Sequence, residues 1–236
     1  MKRCICINGD EKPRGAFNIN AHFIAPNPQT SVNPVSIRPH IDHTAYVGPF
    51  SSVIGNVTVR KNVFIAPNVS VRADEGSPFY IDSNTNLQDG VILHGLAHQW
   101  VTHNQKKYSI YIGKRVSLAH GCIIHGPCKL GNDVFVGFRT IVLNAVIGDG
   151  CFVSHGAIVT GGIIVAPGRF VPTGAIIDTQ EQADNLPTVT KAQIDFAQEV
   201  QHVNTEFPTS YSLLFGATRC SCGLACHPDT LKNTRG

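Results

Sequence analysis

Aliphatic side chains recur every six residues along most of this chain. Val47, Val53, Val59, Ile65 and Val71 set the period. It returns at Ile81, Leu87 and Leu93, restarts at Ile112, and runs through Leu118, Ile124, Leu130, Val136 and Val142. A shorter step leads to Ile147, and Val153, Val159, Val165 and Val171 follow in phase. A period of six fits neither a helix of 3.6 residues per turn nor a strand that alternates every two. It fits a solenoid in which each hexapeptide is one short side of a triangular coil, so that roughly 18 residues complete a turn. Each aliphatic residue then points inward and stacks on its equivalent one coil away, at about 4.8 Å. Gly, Asn and Asp between the sides suit tight corners. The chain is predicted to be an all-β solenoid, a parallel β-helix of hexapeptide repeats, over residues 41–180. A sandwich of short strands would not hold this register over so many repeats.

The pattern changes after residue 180. In KAQIDFAQEVQHVNTEF, Ile194, Ala197, Val200 and Val203 share one helical face. Thr190 is the expected N-cap and Pro208 the expected end. Residues 181–216 are read as a C-terminal helix region packed along one side of the solenoid. Residues 217–236 read as a Cys-containing tail, and residues 1–40 as an extension covering the first coil.

Composition removes several function classes. The 236 residues are 42% hydrophobic and 15% charged, which excludes global disorder. The net charge of +3 is too small and dispersed for nucleic acid to be the main partner. No apolar run approaches the roughly 18 residues of a membrane span. The first ten residues lack an apolar stretch of the signal-peptide kind, so a cytoplasmic location is expected. Eight cysteines are too few to scaffold a chain of this length. Cys122, Cys128 and Cys151 sit in apolar repeats and read as inert core thiols. Cys220, Cys222 and Cys226 lack a paired CxxC spacing and read as part of a thiol-bearing tail.

Three histidines carry the chemistry. His94 follows the inward Leu93 and His125 follows the inward Ile124, 31 positions later. That separation is one coil plus the polar interruption around GLAHQWVTHNQKKYS. If the interruption loops out, the two imidazoles stack in one column and can share a metal ion. His120 lies on a different edge, from which it could reach the pair across the interface of a trimer. Three neutral imidazoles with a free position describe a catalytic zinc-type site. Arg72, Asp74 and Glu75, and Asn86, Gln88 and Asp89, lie in flanking repeats. A carboxylate there could take a proton from metal-activated water.

The segments SVRADEG, SNTNLQDGVILH, YSIYIG, VSLAHGCIIHGP and VPTGAIIDTQEQADNLP resemble the γ-class carbonic anhydrases, including the related domain of a carboxysome scaffold protein. The resemblance spans roughly residues 40–207. It implies a left-handed parallel β-helix with a C-terminal α-helix, assembled as a homotrimer with metal sites between subunits. It implies His94, His120 and His125 as metal ligands. Zn2+ is the expected ion, and Fe2+ or Co2+ would accept the same ligands. It also implies Glu75 as the catalytic glutamate, Gln88 as support for the reactive solvent, and Asn204 facing carbon dioxide. Arg72 and Asp89 correspond to an interface pair, with Asp74 beside them and Asn86 lining the pocket. His202 stands where a tyrosine is found in the family. Active members carry a longer acidic loop after the first ligand; here Ala97 replaces its proton-relaying glutamate. His98 and His103 are the candidate relays in this shorter, basic loop. The expected activity is reversible hydration of carbon dioxide to bicarbonate. The alternative is a non-catalytic assembly protein, for which a carboxysome location would follow. An acyltransferase, the other hexapeptide chemistry, would use a single catalytic histidine; three ligand-spaced histidines and RADEG argue against it.

Overall fold

The computed structural model describes residues 23–214, 218–219 and 225–226. Cys4, Cys6, Cys220, Cys222 and His227, with most of the expected N-terminal extension and tail, lie outside the described residues. The hexapeptide period becomes a parallel β-helix of about eight turns. Among the described residues, two sides of the triangle merge into a 13-stranded sheet and the third forms a 7-stranded sheet. The inward positions from Val53 to Val171 are buried and form one continuous core.

Stacking is kept by the hydrogen-bonded ladder, which absorbs changes in coil length. Val53 pairs with Val71, and Leu93 pairs both with Val71 and with Ile124. The shortened step places Cys128 opposite Ala145 and Ile141 opposite Ile158. Several corners take the left-handed backbone region, as at Asn68 (φ 60°), Asn84 (φ 60°) and Asp133 (φ 57°). Asn and Asp tolerate that region better than other residues with a Cβ. Arg115 and Arg139 also take it, which composition did not anticipate.

The polar interruption does loop out. Val101–His103 and Lys106–Tyr108 form an antiparallel hairpin, and the Trp100 indole N–H donates to the Ser77 carbonyl at 2.8 Å. Where the chain rejoins the coil, backbones crowd together. A Cβ on Gly95 would lie 2.2 Å from Ser109 Oγ, and one on Gly126 would lie 2.4 Å from the Ser109 carbonyl oxygen. Those glycines directly follow His94 and His125, so close backbone approach is part of how the pair is held. Ser109 Oγ is buried without a hydrogen-bond partner. Ser109→Ala removes that unsatisfied hydroxyl, and it is expected to raise stability by about 1 kcal/mol. The check is a higher denaturant midpoint at unchanged slope.

Two helices close the fold. Helix α1 (Gln180–Asp184) starts in a capping box between Thr179 and Gln182, and Ala183 and Leu186 plug the core. Helix α2 (Lys191–Leu214) begins at Thr190, whose N–H donates to Gln193 Oε1 at 2.8 Å while Thr190 Oγ1 accepts from the Gln193 N–H at 3.4 Å. Pro208 does not end this helix; it lies inside it. Proline removes one backbone donor there, yet tertiary packing holds the turns around it. The Phe207 ring lies 5.1 Å from Phe64, and the Tyr211 ring lies 5.2 Å from Tyr46 and 5.5 Å from Phe64. The apolar face is also narrower than the spacing implied. Ala197 and Val200 pack on Ala119, Phe135 and Phe152, whereas Ile194 and Val203 stay exposed.

Candidate metal centre

The strand Ile92–Gly95 carries His94, and Ile123–Leu130 carries His125. The two residues are direct register partners. His94 Nδ1 and His125 Nε2 face each other at 3.2 Å. Metal–nitrogen bonds of about 2.0–2.1 Å in tetrahedral geometry place two ligand nitrogens about 3.3 Å apart. The outer nitrogens face acceptors. His125 Nδ1 lies 3.2 Å from the Gly126 carbonyl oxygen. Asp74 Oδ1 is buried without a hydrogen bond, 3.3 Å from His94 Nε2. An N–H on His94 Nε2 is the donor this oxygen lacks. With protons on both outer nitrogens, two lone pairs converge on one point, which suits a shared cation and not a hydrogen bond. The donor set therefore fits a divalent metal.

Around this pair stand Arg72, in register with His94, and the two carboxylates of RADEG. Arg72 Nε lies 3.7 Å from Asp74 Oδ2. Glu75 Oε2 is 3.9 Å from His94 Nε2, and Glu75 Oε1 accepts the Ala97 N–H at 3.1 Å. Residues 72–75, His94 and His125 thus gather at one corner of the coil.

The other predicted residues gather at a different corner. His120 Nδ1 lies 3.1 Å from Asp89 Oδ2. A cavity of about 400 Å³ is lined by Gln88, His120, Phe138, Val203 and Asn204, among others. Gln88 Nε2 donates to Asn86 Oδ1 at 3.2 Å, and Asn86 Nδ2 donates to Ser117 Oγ at 2.8 Å and to Gln201 Oε1 at 3.1 Å. Asn204 is buried and donates to the Val200 carbonyl at 2.9 Å. Among the described residues, no single chain assembles three His, Cys, Asp or Glu side chains into a complete cation site. The candidate residues form two separate clusters.

The loop histidines each lie beside another aromatic ring. His98 is exposed at φ 58°, with its ring 6.3 Å from Trp100. His103 stacks on Tyr111 at 3.9 Å, in a pocket with Tyr80, Asp82 and Tyr108. Burial pushes its pKa down, with Lys129 adding to the effect. Burial likewise pushes the Cys128 thiol up to about 12 and raises those of Cys122 and Cys151, so these thiols stay protonated in the core.

No family model matches the chain. Among curated proteins, it is 37% identical over 203 residues to a carbonic anhydrase of Methanosarcina thermophila, a match covering 80% of this chain and 81% of the relative. The chain belongs to the γ-class carbonic anhydrase family. It is also 46% identical over 172 residues to the carboxysome assembly protein CcmM of Nostoc sp., covering 72% of this chain and 31% of that protein. It therefore spans about a third of the length of that relative. Solved structures share the fold. A hexapeptide transferase family protein of Anaplasma phagocytophilum superposes with a TM-score of 0.59 at 28% identity, covering 79% of this chain and 98% of that one. A Bacillus cereus protein assigned as an acetyltransferase gives 0.63 at 23% identity, covering 75% and 93%. The fold is thus the left-handed parallel β-helix of hexapeptide proteins.

Some residues now at these sites were not singled out from sequence. Gln201 ties the helix to Asn84 and Asn86, and Phe138 stacks on His120. Their signal was available only in part. Phe138 follows His120 at the coil repeat, but nothing in the sequence marks Gln201 among the glutamines of its helix.

Proposed function

We propose that this γ-class family member hydrates carbon dioxide reversibly to bicarbonate at a metal site shared between two copies of the chain. The observation that carries this reading is the pair of imidazole nitrogens facing at 3.2 Å, with the Asp74 and Glu75 carboxylates beside them. His94 and His125 would hold the cation from one copy and His120 from its neighbour. Zn2+ is the expected ion, with Fe2+ or Co2+ as the ions that suit the same donors. Such a cation, when bound, would supply the acidity that lets water act as hydroxide near neutral pH. Glu75, next to the pair, takes the proton. Gln88 is anchored through its Nε2 to Asn86, which leaves its Oε1 free to accept a hydroxyl proton and orient the nucleophile. Asn204, in the same cavity, offers its amide to carbon dioxide.

The surface beside the pair supports a homotrimer. Ile92, Ile123, Ile141, Ile158 and Ile176 stack in register on the outside of the coil. Ile92 and Ile176 are 41% and 57% exposed. An outward aliphatic column next to a half-site suits burial against further copies. Ile141→Lys, in the middle of this column, is expected to release monomers, read by analytical ultracentrifugation, while far-UV circular dichroism stays unchanged.

The 46% identity to a carboxysome assembly protein supports a second reading, a γ-carbonic-anhydrase-like assembly protein without catalysis and located in a carboxysome. Metal analysis of anaerobically purified protein, with stopped-flow hydration of carbon dioxide, separates the two. Stoichiometric metal with hydration above background supports the enzyme. Full metal occupancy without hydration supports the assembly protein.

A further inference from the structure

His120 belongs to a column that the coil repeat builds along one corner. The Gly121 N–H donates to the Asp89 carbonyl at 2.9 Å, and the Arg139 N–H to the His120 carbonyl at 3.0 Å. The Gly156 N–H donates to the Phe138 carbonyl at 2.8 Å, and the Gly174 N–H to the His155 carbonyl at 3.0 Å. Asp89, His120, Phe138 and His155 are therefore equivalents on successive coils. Their side chains stack as well. The Phe138 ring lies 5.5 Å from the His120 ring at 28°, and 4.5 Å from the His155 ring at 14°. The Phe138 N–H also donates to His155 Nδ1 at 3.1 Å.

Phe138 is 43% exposed and belongs to neither hydrophobic core cluster. Core packing does not account for an aromatic ring at this corner. His120 is itself exposed, and a free imidazole there would sample several rotamers. Asp89 fixes one ring nitrogen, at 3.1 Å from Nδ1. It leaves Nε2 as the outward lone pair but does not by itself fix the tilt of the ring. A stacked aromatic surface does, because offset rings about 4.5–7 Å apart favour a limited range of orientations.

We propose that Phe138, backed by His155, is a positioning residue that holds the His120 imidazole ready to complete the metal site of a neighbouring copy. The proposal rests on the reading of His120 as the ligand given across the interface. Asp89 clamps the ring from one side of the column and Phe138 from the other. The His155 ring supports Phe138 twice, by stacking on the Phe138 ring and by accepting the Phe138 backbone N–H.

The test is metal affinity, measured on the full chain by Zn2+ competition with a chromogenic chelator and by the visible spectrum of added Co2+. Phe138→Leu keeps an apolar side chain but removes the ring, whereas Phe138→Tyr keeps the ring. Loss of an orienting partner typically weakens metal binding about 10–100-fold. Phe138→Leu is expected to lose affinity in that range and to broaden the Co2+ spectrum, and Phe138→Tyr to restore both. Wild-type affinity in Phe138→Leu overturns the proposal. If that variant changes its assembly state, His155→Leu takes its place, since it removes the support and leaves Phe138; unchanged affinity there overturns the proposal equally. His120→Ala separates the two levels. Metal bound as tightly as in the wild type would remove the ligand reading itself. Metal lost there but kept in Phe138→Leu would remove only the positioning role.

Discussion

His120→Ala is expected to abolish metal binding and carbon dioxide hydration together. The residue makes no contact with the His94–His125 pair in its own chain; it lies against Asp89 and Phe138 at another corner. Its loss should leave the fold intact, because the side chain is exposed. Loss of an outer partner alone weakens binding about 10–100-fold, so loss of a ligand should exceed that range and bring hydration to background. Mixing gives a sharper check. His94→Ala has an intact His120 but a broken pair, and His120→Ala has the reverse. On this reading, neither variant trimer would hold a complete site. Random mixed trimers formed by refolding them together would bring the two intact halves into contact at about one interface in four. Recovery of metal and rate toward that fraction is expected. No recovery in proven mixed trimers would show that sites do not form between copies.

Glu75→Gln is expected to slow hydration by about 10²–10⁴-fold, the range typical of general acid–base groups, while metal content stays full. The substitution is conservative in the right sense. Glu75 Oε1 accepts the Ala97 N–H at 3.1 Å, and the glutamine oxygen can keep that bond. What disappears is the basic carboxylate 3.9 Å from His94 Nε2. Stopped-flow rates with metal analysis on the same preparation give the answer. Turnover equal to wild type would leave Glu75 as a residue that only anchors the loop after His94.

The register of the histidine pair was legible because a β-helix turns sequence period into stacking. Each inward aliphatic residue costs free energy if it leaves the core, so Leu93 and Ile124 had to align, and His94 and His125 with them. That the polar interruption leaves the coil was legible for the same reason, since polar residues out of phase have no inward place; its antiparallel pairing at Val101–His103 and Lys106–Tyr108 was not. Other features were not legible. Pro208 was expected to stop a helix, since local backbone chemistry alone disfavours it there. Phe207 and Tyr211, packed on Tyr46 and Phe64 across some 150 positions of sequence, decided otherwise. The narrower apolar face of that helix has a similar origin, because a spacing rule says which residues share a face but not how much of it the sheet can cover.

By itself, the sequence determined the parallel β-helix, the alignment of His94 with His125, and the separation of His120 onto another edge. These follow from one-dimensional order, because burial of a repeated aliphatic residue fixes register coil by coil. Only the tertiary structure decided that the candidate residues divide into two clusters. It put Asp74 and Glu75 with the histidine pair, and Gln88 and Asn204 with His120 in a cavity under α2. It also set the ring contacts of Asp89, Phe138 and His155 along one corner. Those placements depend on side-chain directions at corners and on where a distant helix docks. No periodic burial requirement encodes either of them, so they arise only when the whole chain packs.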